Sequence, residues 1–378
     1  MELHRAWMDV RLDNIRYNYR LLRQWLDTHG GQKARIFVVL KDNAYGLGAI
    51  PIAWTVKREG ANFFIVAVAE EAMELREAGI LDPVLVLGAS AYDSAAVYVR
   101  HNIRASVSDL AMARCLSKEA VKQGKSAFIH IAVDTGMGRI GFSPEEARER
   151  IGEIARLPGI VCEGLFTHFS SADEKDLSYT EMQHKMFTDF LGKLNNRGIK
   201  FPMVHCCNSG ATVNFPEWAM DGVRPGQLLV GFYPSPDVPR YLDLRTCFSL
   251  STRVAFVKTL PPHEAVGYGR TYTTSSTETI AVLPIGYGDG FDRRLSNNAD
   301  ILLRGRRCPI VGRICMDQCM VRVDGSVEVG DEVTLIGRQG QEKITPYEFA
   351  DRLGTIVTPV ALMMGKRVKR LYSDPEGV

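Results

Sequence analysis

The chain has 378 residues, of which 46% are hydrophobic and 24% are charged, and its formal net charge is +2. This balance is typical of a globular protein long enough for two domains, and so small a net charge argues against nucleic-acid or membrane-surface binding. No apolar segment has the length of a signal peptide or a membrane-spanning helix, so we expect a cytoplasmic protein. The eight cysteines lie mostly in apolar runs without zinc-binding spacing, which favours buried free thiols and no metal site.

The first two thirds of the chain repeat one pattern: a short apolar run, a polar turn, then a helical segment. Helical periodicity is clear over 12–26, and the segment 69–79 is rich in helix formers and ends at Gly79. Strands alternating with helices favour parallel pairing, and eight such units predict an α/β fold of the closed (β/α)8 TIM-barrel type. Because the fourth run is weak, an open parallel sheet is the alternative. The eight predicted strands are 36–40, 63–68, 84–87, 104–107, 128–133, 161–167, 203–207 and 222–230.

This pattern ends near residue 233, where "YPSPDVPRYLDL" reads as a proline-rich linker. Short apolar stretches separated by closely spaced turns follow, which predicts an antiparallel β domain. One short helix is expected within 345–356. We therefore predict a barrel domain at 1–240 and a mostly antiparallel β domain at 241–378.

Polar residues gather where the barrel strands are predicted to end, which is where barrel enzymes place their chemistry. A lysine after the first strand can react with a carbonyl compound as a neutral amine, and small turns after the last two strands suit a phosphate dianion. Singly, each feature has an ordinary explanation as a solvated lysine, a core histidine or a simple turn. Together they indicate pyridoxal phosphate, which needs a lysine, a phosphate anchor and a partner for its ring nitrogen. The residues concerned are Lys41, Asp134, Arg139, His168, Asp173, Asn208, Ser209, Gly210, Arg224 and Gly226.

Eight motifs occur in order along the chain: "VVLKDNAYGLG", "VDTGMGRIG", "THFSSADEKD", "NSG", "GVRPG", "AVGYGRTY", "PIGYGDGF" and "GRICMDQ". With these motifs the chain resembles the alanine racemases from about residue 4 to residue 372. The resemblance implies a racemase that interconverts L-alanine and D-alanine with pyridoxal 5'-phosphate. It also implies a homodimer with shared active sites, and a role in supplying D-alanine for peptidoglycan.

The resemblance further implies a role for each matching residue. Lys41 would hold the cofactor as an internal aldimine and act as one acid/base, and Tyr268 of the partner subunit would act on the opposite face. Arg139 and the Met316 backbone would position the substrate carboxylate. Arg224 would leave the ring nitrogen unprotonated, which disfavours decarboxylation and transamination. The implied cofactor contacts are Tyr45, His168, Asn208, Ser209, Arg224, Gly226 and Gln227, and the implied entrance residues are Asp173, Tyr287, Arg293 and Arg313.

The chain departs from the family pattern at two places. Ala132 stands where many members carry a lysine that steers the motif arginine, and Thr358-Pro359 and Lys366 replace tail residues near the pocket. These changes leave open a racemase that accepts serine or a broader set of amino acids. A pyridoxal-phosphate decarboxylase and a non-catalytic cofactor-binding barrel are further alternatives. Arg224 argues against the first and Tyr268 against both.

Overall fold

The computed structural model describes residues 4–375, which divide into two compact units. The first unit comprises Asn14–Ala44 and Ala49–Arg245. The second comprises the described residues up to Asp13, the segment Tyr45–Gly48 and the described residues from Thr246 onward. The division predicted from the sequence places the first residues with the barrel, whereas β1 (Ala6–Arg11) pairs with strands of the second unit. No helix within residues 4–375 is both long and apolar enough to cross a membrane.

The first unit is a parallel barrel, which confirms the predicted fold class. Its first strand is one stretch interrupted at Phe37: the part before Phe37 pairs with the last strand and the part after it with the next strand. The Phe37 N–H donates to the Val223 carbonyl and the Val38 N–H to the Phe63 carbonyl, both at 2.9 Å, so the ladder closes. All eight predicted runs therefore contain strands. They are β2 (Arg35–Ile36), β3 (Val38–Val39), β4 (Phe64–Val66), β5 (Val84–Val86), β6 (Arg104–Val107), β7 (Ala127–Ala132), β8 (Ile160–Phe166), β9 (Met203–His205) and β10 (Gly222–Val223).

The eighth run is a strand only at its start, so the prediction of a strand to residue 230 is wrong beyond Val223. The Arg224 N–H makes a last bond to the Cys207 carbonyl at 2.9 Å. Pro225 follows and has no N–H to continue the ladder. The rest of the run forms a short helix, α10 (Gly226–Leu229).

Helices connect the strands, and the two helices predicted at 12–26 and 69–79 are both present. Local signals set their ends. In α6 (Leu110–Gln123), Asp109 caps the start by accepting from the Met112 N–H at 2.8 Å, and Gly124 ends the helix with φ 61°. The elements of this unit are α1 (Leu12–Thr28), α2 (Lys41–Tyr45), α3 (Ala49–Arg58), α4 (Ala69–Glu77), α5 (Ala95–Arg100), α6 (Leu110–Gln123), α7 (Pro144–Ile154), α8 (Ser178–Asn195) and α9 (Ser209–Asn214), before α10.

Aromatic rings and two histidines fill the centre of the barrel. Phe166 stacks on His205 with ring centroids 5.1 Å apart, and Phe63 lies 5.8 Å from His130. Gly164 leaves room for one of these rings, because a Cβ there would lie 2.2 Å from Nδ1 of His130. The barrel core therefore contains both aromatic and polar side chains, and the backbone at Gly164 makes room for the His130 ring.

The second unit is built mainly from antiparallel strands, as predicted. Besides β1, the strands are β11 (Phe248–Arg253), β12 (Phe256–Leu260), β13 (Ala265–Val266), β14 (Tyr272–Thr273), β15 (Glu278–Leu283), β16 (Asp300–Leu303), β17 (Arg306–Pro309), β18 (Cys319–Val323), β19 (Glu332–Gln339), β20 (Glu342–Ile344) and β21 (Lys369–Ser373), with helices α11 (Pro346–Leu353) and α12 (Thr358–Leu362). The largest sheet has the order β17-β16-β19-β11-β1-β21, with β20 paired to β19, and its β1–β21 pair is parallel whereas its other pairs are antiparallel.

Candidate active site

Lys41 lies two residues beyond the end of the first barrel strand and begins α2, which is a left-handed turn. The residues Asp42 to Tyr45 have φ between 52° and 58° although none is glycine, and this conformation costs each L-residue roughly 1–2 kcal/mol. Two contacts hold the turn: the Asp42 N–H donates to the Glu71 carboxylate, and Asn43 Oδ1 accepts from the Ala49 N–H at 2.8 Å. The Lys41 side chain is exposed and makes no hydrogen bond with the described residues.

Arg224 lies just beyond β10 and is only 3% exposed. Its Nη1 donates to Nδ1 of His205 at 2.7 Å, and its Nη2 donates to the carbonyls of Thr167 and Cys206, each at 2.9 Å. Burial lowers the pKa of Arg224 to about 10, so the group is still a cation at neutral pH. Its Nε is buried and has no partner among the described residues. One donor of a fixed guanidinium is thus left for a ligand.

His168 lies beside this arginine, beyond the end of β8. Its Nδ1 is 3.2 Å from Nη2 of Arg224, and because arginine can only donate, Nδ1 must accept and the ring is neutral. Burial and the positive charges of Arg224, Arg139 and Lys41 lower the pKa of His168 well below its ordinary value. These three predicted cationic residues therefore surround one neutral imidazole.

The turns after β9 and β10 meet at the starts of two short helices. The Gln227 N–H donates to Ser209 Oγ at 3.2 Å, and Asn208 caps α9 by accepting from the Ala211 N–H at 3.1 Å. The N–H groups of Ser209 and Gly210 have no partner among the described residues. A Cβ on Gly210 would lie 2.5 Å from a backbone oxygen, so only glycine fits there.

Two of the N–H groups expected to bind phosphate are engaged within the chain. The Gly226 N–H donates to the Arg224 carbonyl at 3.0 Å, and the Gln227 N–H donates to Ser209 as described. The N–H groups that remain for an anion at this turn are those of Ser209 and Gly210.

Arg139 and Ala132 line a small cavity of about 20 Å³ together with His168. Arg139 is exposed and makes no ion pair or hydrogen bond with the described residues. Asp134 does not pair with it, because its carboxylate accepts from the N–H groups of Gly136 and Gly138 at 2.9 and 3.0 Å. The side chain of Ala132 ends at Cβ and leaves the arginine without a protein partner. Asp173, predicted at the entrance, is partly exposed and accepts from the Ser235 hydroxyl through its backbone carbonyl.

In the second unit, Tyr268, Tyr287 and Arg293 line one open cavity of about 630 Å³. Tyr268 is 70% exposed. The turn that carries Tyr287 is fixed by Asp289, a fully buried carboxylate that accepts from the Gly286 N–H at 3.0 Å. Arg5 pairs with the same carboxylate at 3.0 Å. The tyrosine therefore stands on a rigid support while its ring reaches solvent.

Met316 and Arg313 lie next to these residues. The Met316 carbonyl accepts from the Gly288 N–H at 2.8 Å, and its own N–H has no partner among the described residues. Nη1 of Arg313 would lie 3.0 Å from a Cβ on Gly269, the residue after Tyr268. Tyr45 is buried and also groups with the second unit.

The predicted residues thus fall into two sets. The barrel brings together Lys41, Arg139, His168, Asp173, Asn208, Ser209, Arg224, Gly226 and Gln227, and the second unit holds Tyr45, Tyr268, Tyr287, Arg293, Arg313 and Met316. Sequence reasoning missed Thr167, His205 and His130, which contact Arg224 directly or through one another. A histidine inside an apolar strand gives no local signal that separates it from an ordinary core residue.

Comparisons with known proteins match both parts of the chain. A family model for the alanine racemase N-terminal domain matches residues 10–234, and one for the alanine racemase C-terminal domain matches residues 247–372. The chain is 44% identical over 371 residues to an alanine racemase of Clostridium perfringens, covering 97% of this chain and 95% of that protein.

Solved structures give the same result. An alanine racemase of Clostridium difficile 630 superposes with a TM-score of 0.95 at 36% identity, covering 100% of this chain and 98% of the other. A more distant neighbour is the histidine racemase of Leuconostoc mesenteroides, with a TM-score of 0.90, 27% identity and 99% coverage of both chains. On sequence and on structure, the chain belongs to the alanine racemase family.

Proposed function

We propose that the protein interconverts L-alanine and D-alanine with pyridoxal 5'-phosphate as its cofactor. The observation that carries the proposal is the buried Arg224, whose Nε has no partner among the described residues. The unpartnered N–H groups of Ser209 and Gly210 and the free amine of Lys41 lie at the same end of the barrel strands. A lysine, an anion site and a donor for a ring nitrogen are what this cofactor requires, so the residues present fit it.

In this proposal Lys41 would hold the cofactor covalently, and the Nε–H of Arg224 would be the donor for its ring nitrogen. His168, neutral because Arg224 donates to it, would flank the pyridine ring of the cofactor. When bound, the cofactor draws electrons away from the α-carbon of the amino acid, which makes the α-hydrogen removable as a proton. A guanidinium does not release its proton, so Arg224 stabilises the ring nitrogen without protonating it. The N–H groups of Ser209 and Gly210 would bind the phosphate. The family resemblance adds Tyr45, Gly226 and Gln227 as phosphate contacts and Asn208 as a cofactor contact, although the N–H groups of Gly226 and Gln227 are engaged within the chain.

Racemisation requires proton removal on one face of the α-carbon and proton return on the other. We assign Lys41 Nζ to one face and Tyr268 Oη to the other, since one group does not reach both. Tyr268 is 70% exposed in the single chain and is therefore accessible to a second subunit. We infer a homodimer in which Tyr268 of the partner subunit completes each site.

Arg139 and the Met316 N–H are the candidates for binding the substrate carboxylate, because neither has a partner among the described residues. Racemisation of serine or of a broader set of amino acids is the alternative. It is left open by Ala132, Thr358-Pro359 and Lys366, where the chain departs from the family pattern. A decarboxylase is disfavoured, because Arg224 occupies the place where an acidic partner would protonate the ring nitrogen.

We further propose that the reaction takes place in the cytoplasm and supplies D-alanine for peptidoglycan. This role follows from the family and rests on the alanine activity.

The test is a racemisation assay of the purified protein with pyridoxal phosphate, with L-alanine and L-serine offered separately and the products resolved by chiral chromatography. Fast formation of D-alanine with slow D-serine supports the proposal, and comparable rates support the broader racemase. Cofactor binding without any D-product would refute a racemase, and the Lys41→Ala variant supplies the inactive baseline.

A further inference from the structure

A chain of hydrogen bonds leads from Arg224 into the interior of the barrel. Nη1 of Arg224 is 2.7 Å from Nδ1 of His205, and Nε2 of His205 is 2.9 Å from Nδ1 of His130. Nε2 of His130 is 3.3 Å from Oε2 of Glu163. Both histidines are fully buried. The chain thus links three strands, β9, β7 and β8, to the residue that faces the proposed cofactor.

The two ends of this chain fix the position of every proton within it. Arginine can only donate and an ionised carboxylate can only accept. His205 must therefore accept at Nδ1 and donate from Nε2, and His130 must do the same towards Glu163. Protonating either ring would set two donors against each other, so both histidines are neutral. Burial, the largest cause, also lowers the pKa of each ring.

Glu163 in turn is held by Arg104. The two side chains form an ion pair at 3.0 Å and are only 12% and 9% exposed. Burial raises the pKa of Glu163, but the hydrogen bonds from His130 and Arg104 outweigh it, so the net shift is downward and the group is a carboxylate. Arg104 is the first residue of β6, whereas Arg224 lies just past the end of β10. The chain of hydrogen bonds therefore extends along the barrel, from the carboxyl ends of the strands at Arg224 to their amino ends at Arg104.

The backbone is built to accommodate this chain. Gly164 leaves the space that the His130 ring occupies, and the β7–β8 pairing shifts register between Ile129 and His130. Arg224 itself forms no ion pair with a carboxylate among the described residues. Glu163 is the carboxylate to which it is connected, through two rings.

We propose that Glu163, supported by Arg104, is a positioning residue for Arg224. It acts by fixing the tautomers of His130 and His205 and thereby the orientation of the guanidinium. A neutral residue at 163 would release His130 to take either tautomer. His205 could then turn an N–H towards Arg224, and the guanidinium would lose the acceptor that sets the direction of its Nε–H. The catalytic consequence rests on the proposed function, whereas the tautomer assignment does not.

The experiment compares Glu163→Gln with Glu59→Gln in the full-length protein loaded with pyridoxal phosphate. Glu59 is a matched control, because its side chain is 14% exposed and pairs with two arginines, Arg16 and Arg20. No hydrogen bond among the described residues connects it to Arg224. Proton NMR of protein carrying isotope-labelled histidine reports the imidazole N–H groups. The visible absorption of the bound cofactor and the values of kcat and KM are measured on the same samples.

In the wild-type protein and in Glu59→Gln we expect His130 and His205 both to carry the proton on Nε2. Glu163→Gln should shift or broaden both resonances, shift the cofactor absorption band, and lower kcat about three- to tenfold with a smaller change in KM. Arg104→Lys keeps the charge beside Glu163 and should retain both resonances.

An Nδ1 proton on His205 in the wild-type protein would overturn the proposal, whether or not the variants fold. So would a Glu163→Gln protein whose resonances, absorption and kcat match those of Glu59→Gln. A wild-type protein that binds no cofactor or makes no D-amino acid would instead refute the proposed function. The NMR result would still decide which atoms donate and which accept in the chain of hydrogen bonds.

Discussion

Gly164→Ala should be among the most destabilising single-methyl changes in the barrel. The added Cβ would lie 2.2, 2.4 and 2.5 Å from three atoms of the His130 ring, so the ring must move. Displacing it breaks the bonds to His205 at 2.9 Å and to Glu163 at 3.3 Å in a buried site. Overpacking costs about 1–3 kcal/mol and each buried polar group left unpaired about the same, so we expect a loss of about 3–6 kcal/mol.

Gly192→Ala is the matched control. Gly192 lies inside α8, is exposed, and a Cβ there would meet no atom within 4 Å. Because alanine favours a helix interior over glycine, this variant should be more stable by about 0.5–1 kcal/mol. Equilibrium urea unfolding followed by circular dichroism measures both variants against the wild-type protein. We expect the urea midpoint of the barrel transition to fall for Gly164→Ala and to rise for Gly192→Ala.

A Gly164→Ala midpoint equal to or above that of the wild-type protein would refute the reasoning. It would mean that the His130 ring does not occupy the space beside position 164. The hydrogen bonds inferred through that ring would then be contradicted as well. A lower midpoint for Gly192→Ala as well would show that methyl groups at glycines destabilise this protein for a reason unrelated to His130.

Three further predictions concern the proposed site and the buried histidines. Lys41→Ala should abolish the visible absorption of covalently bound cofactor and all racemisation; an absorption spectrum identical to wild type would contradict the assignment. Tyr268→Phe should slow α-proton removal from one enantiomer by about 10²–10⁴-fold and affect the other far less, as measured by deuterium exchange, and equal mild losses would count against its role. Burial lowers the pKa of His130, His168 and His205, so the unfolded chain binds more protons below its histidine pKa of about 6.5. The free energy of unfolding should therefore decrease as the pH is lowered below about 6.5, by up to about 1.4 kcal/mol per pH unit for each histidine. A urea midpoint that stays constant between about pH 7.5 and 5.5 would contradict this.

The barrel was predictable because its strands are buried on both faces and read as continuous apolar runs. Val84–Val86 is an example, with all three residues buried. β1 was not predicted, because its partners are far away in the chain: Trp7 pairs with Ser251 on one side and with Lys369 on the other. The sequence of residues 6–11 does not predict either pairing strand.

The site was predictable where small turns follow strands, as at Asn208 and Ser209, because turn chemistry is local. The contacts of Arg224 were not predictable from the sequence, because they depend on which strands are neighbours and where each strand starts. His205 and His130 lie on β9 and β7, with β8 between them, and meet only across the barrel interior. The role of Tyr268 is predicted from its motif alone, because no local pattern distinguishes it from an ordinary exposed tyrosine.

The left-handed turn Asp42–Tyr45 has a consequence for protein engineering. Four successive non-glycine residues in this conformation are not stable by themselves, so a peptide with the sequence "KDNAYG" would adopt other shapes in water. The turn that carries Lys41 is held by Asn43 within the motif and by Glu71, which lies outside it. Transplanting the motif into another barrel would therefore carry over the lysine without its orientation, unless the supporting glutamate were transplanted as well.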